Sequence, residues 1–328
     1  MKNGDITRFF KTLTGYKLKS DIAMQIQLDL AKTPFSLDPT LLCGQAFRWE
    51  KRADWWIGVL NQTVLKIRQE EDILEFKASS NKITSDFLCQ YFRLDDDLSR
   101  VYSKIMRDKY VITAVNNFRG LRLLRQDPWE CLISYICATN KNIPAIRQII
   151  SNLCRRFGNV ERFEGEDFYT FPRAQSLAGA RLTELRHCKL GYRAENLLET
   201  ARIANSGQLE LETLKTMPYE RAKKILLMLP GVGSKVSDCI LLFSLDKLEA
   251  FPIDVWMKRI ILENYSQHFE RHFVAELKTK KSLSSREYEI IYTFGRKYFG
   301  DYLGYAQAYL YHYERCHVRR NFPYSPVN

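Results

Sequence analysis

The chain has 328 residues, 45% of them apolar and 27% charged, and 50 lysines and arginines against 38 aspartates and glutamates give a formal net charge of +12. That length suggests two domains, each able to close a hydrophobic core, and the composition excludes disorder and collagen. No run approaches the roughly 18 uncharged apolar residues that a membrane-spanning helix needs, so no membrane partner is expected, while the positive excess fits a plain solvated surface as well as a polyanion partner and leaves the choice to the motifs.

The first twenty residues, MKNGDITRFFKTLTGYKLKS, read as a solvated basic arm, with an organellar presequence as the alternative. The eight cysteines, at 43, 89, 131, 137, 154, 188, 239 and 316, show no C-x-x-C spacing. Free thiols in a reducing compartment are therefore expected, with no metal site and no cysteine-ligated cluster.

From residue 45 to 77 the segments QAFRWE, WWIGVL, TVLKIR and ILEFK read as a β-meander, separated by the short polar breaks KRAD, Asn61-Gln62 and QEED. Breaks this short force antiparallel neighbours. A helical period follows, with Phe87, Leu88, Tyr91 and Phe92 on one face after a Ser85-Asp86 cap signal, repeated by Leu98, Val101, Tyr102 and Ile105. Beyond that the chain reads almost wholly helical. The linker is expected around Arg119 to Asp127, giving a sheet domain with flanking helices over 1–118 and a helical domain over 119–328. Asp127-Pro128 opens a helix that ends near Thr139-Asn140, and Asn142-Ile143-Pro144 opens the next, which stops at Gly158. Further helices are predicted over 191–205, 218–228 and 234–244, and Ser284-x-x-Glu287 is a capping box. The fold class is α+β, an antiparallel sheet followed by a helical bundle.

The most informative segment is LMLPGVGSKVSDCILLFSL, residues 227–245, inside a helical hairpin over about 218–245. Pro230 stops one helix, Gly231 and Gly233 allow positive φ and remove side chains, and a second helix starts at once. A plain C-cap running into an N-cap would look similar. Yet a turn with bare backbone N–H groups at a helix N-terminus can hold a phosphate oxygen without touching a base. Lys235 sits in the first turn of that second helix, where the dipole disfavours a cation, and Cys239 follows on the same face. Asp254, in Phe251-Pro252-Ile253-Asp254, is the expected N-cap of the next helix, and a carboxylate near an amine can also stabilise a cationic sugar.

LPGVGSKVSDC followed by PID resembles the helix-hairpin-helix and Gly/Pro-Asp signature of base-excision DNA glycosylases. With GQAFRW, RLLRQDPWECL, GYRAENL and AQAYLY in order, the chain resembles the 8-oxoguanine DNA glycosylase/AP lyase family from about Ile26 to Tyr311. The resemblance implies action on double-stranded DNA that contains an oxidised purine; no cofactor is expected, and a single duplex site with a lone hairpin suggests a monomer. It makes Lys235 the nucleophile that attacks the deoxyribose and forms a Schiff base, with Asp254 steadying the cationic sugar. Gly44 would supply the carbonyl that accepts from the N7 hydrogen of the lesion; Gln307 would bond the base's Watson–Crick edge, and Tyr311 and Cys239 would stack on its two faces. Asn140 would enter the vacated stack, Tyr192 wedge the duplex and Arg193 bond the estranged cytosine, while Gly231, Val232, Gly233 and Trp256 would meet the backbone.

Three positions depart from the family pattern. Ala145 stands where animal and fungal members carry a second arginine for the cytosine, Trp256 where they have a histidine, and Tyr311 where phenylalanine is common. These departures suggest a bacterial-type member with looser demands on the opposite base, working in the cytoplasm at the nucleoid, or in the nucleus if the source is eukaryotic. A same-fold glycosylase for another lesion and a non-catalytic hairpin module are the competing readings. The stripe Tyr298, Tyr302, Tyr305, Tyr309 and Tyr313 reads as core packing.

Overall fold

A computed structural model of the chain describes residues 23–321, so the basic arm lies outside the described residues. The strands β1 (Met24–Gln27), β2 (Glu50–Arg52), β3 (Trp55–Leu60), β4 (Thr63–Glu70) and β5 (Ile73–Ala78) form one antiparallel sheet in the order β1-β5-β4-β3-β2. Tight turns set its register. Asn61 and Gln62 have φ of 46° and 64°, the positive pair that a two-residue hairpin turn demands, and Leu60 pairs with Thr63 across them. Trp56, Leu65, Ile67, Leu74 and Phe76 bury one face of the sheet against Leu88, Tyr91 and Phe92 of the following helix and its cap.

The expected first strand is mostly a loop, because Gln45 spends its side chain elsewhere. Its Nε2 donates to the carbonyls of Thr40 (2.9 Å) and Arg122 (2.8 Å), and its Oε1 accepts from the Leu124 amide (2.8 Å). This buried staple fixes the Cys43-Gly44 turn against the helical part. The run beyond residue 119 is also less uniformly helical than its pattern predicts. A hairpin of β6 (Val160–Phe163) and β7 (Glu166–Tyr169) turns at Glu164-Gly165, with φ of 48° and 81°, and Phe163 packs on Val59 and Val64 of the sheet. Strand β1 was equally hidden in the sequence, since of its four residues only Ile26 is buried.

Helices α1 (Leu37–Leu42), α2 (Ser85–Tyr91), α3 (Leu98–Ile105) and α4 (Lys109–Asn117) accompany the sheet in sequence. Then come α5 (Pro128–Ala138), α6 (Ile143–Phe157), α7 (Ala174–Ala178), α8 (Leu182–His187), α9 (Arg193–Asn205), α10 (Tyr219–Leu227) and α11 (Ser234–Ser244). The chain continues through α12 (Val255–Asn264), α13 (Arg271–Thr279), α14 (Ser285–Phe299) and α15 (Leu303–Asn321). Three of the sequence caps form as read: Asp127 accepts from the Glu130 amide (2.8 Å), Asn142 from the Ala145 amide (2.9 Å), and Ser284 and Glu287 exchange reciprocal bonds. The Ser85-Asp86 signal is displaced by one residue, because the Thr84 hydroxyl caps α2 by accepting from the Phe87 amide (3.1 Å).

The two cores do not divide at residues 118 and 119. Leu98, Val101, Ile105, Val111 and Val115 are buried in the helical core together with Cys43 and Phe47, and the Tyr102 hydroxyl meets that of Tyr309 at 3.0 Å. Apolar faces on α3 and α4 find their partner in α15 rather than in the sheet. The tyrosine stripe is interrupted at Gly300, yet Tyr305 and Tyr309 are buried, donating to Asp96 (2.6 Å) and to the Leu121 carbonyl (2.8 Å). No helix among the described residues is long and apolar enough to cross a membrane.

Candidate active site

The hairpin turn between α10 and α11 uses its two glycines differently. Gly231 has φ of +79°, and a Cβ there would stand 3.0 Å from the Cβ of Asn196 on α9. Gly233 is extended, at φ −97° and ψ −176°, so it needs no left-handed freedom; a Cβ on it would enter open space. Val232 is buried and anchors the turn, and the Thr200 hydroxyl donates to the Pro230 carbonyl (3.2 Å). With glycine at the N-cap, α11 has no side-chain cap. Its first amides and the positive end of its dipole are thus left for an outside acceptor, which suits a phosphate.

One turn further on, six residues from four distant segments meet. Lys235 and Cys239 of α11, Asp254 at the start of α12, Gly44 and the pair Gln307 and Tyr311 of α15 line one cavity of about 50 Å³. That space holds little more than water, so a purine requires the walls to part. The ammonium of Lys235 rests 5.2 Å from the ring centroid of Tyr135 rather than in an ion pair with Asp254. Asp254 caps α12: its Oδ1 accepts from the amides of Trp256 and Met257, both at 3.0 Å. Burial pushes its carboxyl above the usual carboxylate range, opposed by those amides and by the Lys235 charge. Burial likewise pushes the Cys239 thiol up to about 12, with Lys235 opposing, so it stands as an uncharged wall. Gly44 has φ of +89°, a conformation that excludes most side chains.

Tyr135 is a site residue that the sequence did not reveal. Its ring carries the Lys235 ammonium, its hydroxyl donates to the Gln45 carbonyl (3.1 Å), and it stacks on Phe243 at 5.8 Å. No local motif marks it; only the all-round burial of α5 hints that the helix lies at the centre. Behind α11 lies a second unforeseen group. Asp238 is fully buried, and it accepts from the hydroxyls of Tyr219 (2.7 Å) and Tyr288 (2.6 Å) and pairs with Lys223 (3.2 Å). The Tyr288 hydroxyl also accepts from the Ile253 amide (3.2 Å), which couples the helix of Lys235 to the residue before Asp254.

On the outer face, Asn140 and Tyr192 come together from two separate turns. Asn140 is exposed with φ of +52°, and its Nδ2 donates to the hydroxyl of Tyr192 (3.3 Å), which is 61% exposed. Arg193 departs from expectation. Only 4% exposed, it donates from Nε to the Thr139 carbonyl (2.8 Å) and from Nη1 to the Leu190 carbonyl (3.2 Å), so it braces the turn beneath Asn140 instead of reaching outward. Trp256 and Ala145 are half-buried in the first turns of α12 and α6.

Residues 27–132 match the family described as 8-oxoguanine DNA glycosylase, N-terminal domain, and residues 133–280 match the HhH-GPD superfamily base excision DNA repair protein. The chain is 32% identical over 324 residues to an N-glycosylase/DNA lyase of Saccharomyces cerevisiae, covering 87% of this chain and 85% of that one. It is 32% identical over 273 residues to a probable N-glycosylase/DNA lyase of Methanothermobacter thermautotrophicus, covering 77% and 80%. The Clostridium acetobutylicum 8-oxoguanine glycosylase/lyase, solved with double-stranded DNA containing cytosine opposite to 8-oxoG, aligns with a TM-score of 0.78 at 28% identity, covering 91% and 97%. With relatives from sources this varied, the comparisons do not mark the chain as bacterial-type. The chain belongs to the 8-oxoguanine DNA glycosylase family within the HhH-GPD superfamily of base excision DNA repair proteins.

Proposed function

We infer that this chain excises 8-oxoguanine from duplex DNA and cleaves the abasic strand by β-elimination. The observation that carries this reading is the convergence of Lys235, Asp254, Gly44, Cys239, Gln307 and Tyr311 on one cavity beside an uncapped hairpin turn. The neutral amine of Lys235 attacks C1′ of the sugar; the glycosidic electron pair leaves with the base, which takes up a proton. Loss of the amine's proton and opening of the sugar give a Schiff base. Removal of a C2′ proton then expels the 3′ phosphate. Asp254 faces the positive charge that develops on the sugar, and its desolvation strengthens that attraction.

The remaining assignments come from the family resemblance, with the shared cavity lining in their support. The Gly44 carbonyl accepts from the N7 hydrogen of the lesion and repels the N7 lone pair of guanine; Gln307 meets the Watson–Crick edge between the walls Cys239 and Tyr311. Gly231 and Gly233 offer amides to a phosphate, whereas the Val232 amide is already taken by the Leu229 carbonyl (3.1 Å) and its side chain anchors the turn from within; Trp256 lies beside the backbone, and Asn140 and Tyr192 fill the space that the flipped base leaves. Arg193 supports them from below. With Ala145 in place of an arginine, the enzyme tolerates bases other than cytosine opposite the lesion. We take it to act as a monomer wherever DNA is housed, nucleoid or nucleus.

Borohydride should trap a covalent protein–DNA adduct on 8-oxoguanine duplexes, and Lys235→Gln should abolish it while duplex binding persists. Trapping that survives in the variant would assign the chemistry to another amine.

A further inference from the structure

Arg315 is assigned no step above and belongs to none of the sequence motifs, although its charge reaches Asp254 and opposes the effect of burial there. It lies one turn beyond Tyr311 on α15. Its Nη1 donates to the Cys43 carbonyl (3.1 Å), and its guanidinium carbon lies 5.2 Å from the centroid of the Tyr311 ring. A Cβ on Gly44 would stand 2.7 Å from that same Nη1 and 3.6 Å from Cε1 of Tyr311, so the absence of a side chain on Gly44 is what lets the three groups close together. Among the described residues no carboxylate pairs with this guanidinium, and the bond to Cys43 is the direct hydrogen bond between the turn of Gly44 and α15.

Those two segments form the cavity walls that must read one base together. The turn is pinned from behind by the Gln45 staple, and α15 is pinned by its buried tyrosines. Both attachments end on the segment 121–124 behind the turn, while Arg315 joins α15 to the turn itself, at the residue before Gly44. A hydrogen bond to the N7 hydrogen weakens steeply past about 3.2 Å, and the repulsion that rejects guanine fades with the same displacement. Recognition by a single carbonyl therefore depends on holding the two walls at one spacing when the cavity opens for a purine.

We propose that Arg315 is a positioning residue for lesion recognition: it latches the Cys43-Gly44 turn to α15, so that the turn and α15 move as one body when the cavity opens. This rests on the reading of Gly44 and Gln307 given above. The latch serves base reading and not the amine chemistry. An abasic site presents no base, so its cleavage by Lys235 does not call on it.

The test compares single-turnover excision of 8-oxoguanine with cleavage of a preformed abasic site, both in duplex DNA, for the full chain and for Arg315→Leu and Arg315→Lys. Arg315→Leu should slow 8-oxoguanine excision on the order of tenfold, the worth of one hydrogen bond, and leave abasic-site cleavage within about twofold. Arg315→Lys should recover part of the loss, because an ammonium can still donate to the Cys43 carbonyl but lacks the planar stack on Tyr311. Unchanged excision in Arg315→Leu would overturn the latch. So would a parallel fall in abasic-site cleavage, which would make Arg315 a DNA-backbone or folding contact, and so would faster excision, which would make it an obstruction. If the unsubstituted chain cleaves abasic sites but releases no 8-oxoguanine, the reading of Gly44 has failed, and the latch with it.

Discussion

The cavity around Lys235 and the exposed turns around Asn140 and Tyr192 are built on opposite principles. Each cavity wall is tied to a buried network: Gln45 staples the Gly44 turn, Tyr135 carries the ammonium, and Asp238 with Tyr288 couples the two catalytic segments. The outer turns instead keep a left-handed asparagine and a largely exposed tyrosine joined by one hydrogen bond, with Arg193 bracing them from beneath. Groups that perform covalent chemistry gain from being held before substrate arrives, whereas groups that enter a base stack must leave their resting contacts to do so.

Substitutions can break that contrast, starting with the chemistry. Lys235→Gln should lower 8-oxoguanine excision by about 10³-fold or more under single turnover, with little change in thermal stability, since the amine rests on a ring and not in an ion pair. Asp238→Ala should act through the support and cost about 3–5 kcal/mol in denaturant unfolding, because it leaves Lys223 buried without its partner. A loss below about 1 kcal/mol there would show that the network is not needed.

A third substitution sharpens the same point through pH. Burial depresses His312 from 6.5 to about 4. A histidine held neutral in the fold contributes nothing adverse above its unfolded value, and stability is lost as the pH falls from about 6.5 towards 4, by up to roughly 3 kcal/mol. Unfolding free energies of the unsubstituted chain and His312→Leu, measured from pH 7 to pH 4.5, should therefore converge or cross as acid is added. Parallel curves would contradict the assignment. The smallest effect belongs to the outer face: Tyr192→Ala should leave the melting temperature unchanged yet weaken lesion excision by about 1–2 kcal/mol in transition-state terms, the scale of one stacking contact.

Legibility in the sequence followed the range of the interactions. The hairpin, Lys235 and the Asp254 cap could be read because each is written within a few neighbouring residues, and the caps at Asp127, Asn142 and Ser284 for the same reason. Gln45 looked like part of a strand since its partners, Arg122 and Leu124, are far away in the chain. The β6–β7 hairpin turns on Glu164-Gly165, a signal shorter than the helical pattern around it. Arg193 kept its expected place but not its expected orientation, because the Thr139 carbonyl at the end of α5 stood open to it. Tyr135 and Arg315 had no local mark at all, as their value comes from segments that only folding brings near.

Asp254 starts a helix and lines the cavity with one carboxyl group. Because a single oxygen accepts both amides of the helix it begins, the atoms that let α12 start winding belong to the same group that is proposed to face the sugar. An amide of equal size could keep the winding and forfeit the charge, while a shorter side chain would forfeit both. Inheritance therefore has little latitude at this position: a chain that drifted here would surrender part of its shape together with its trade.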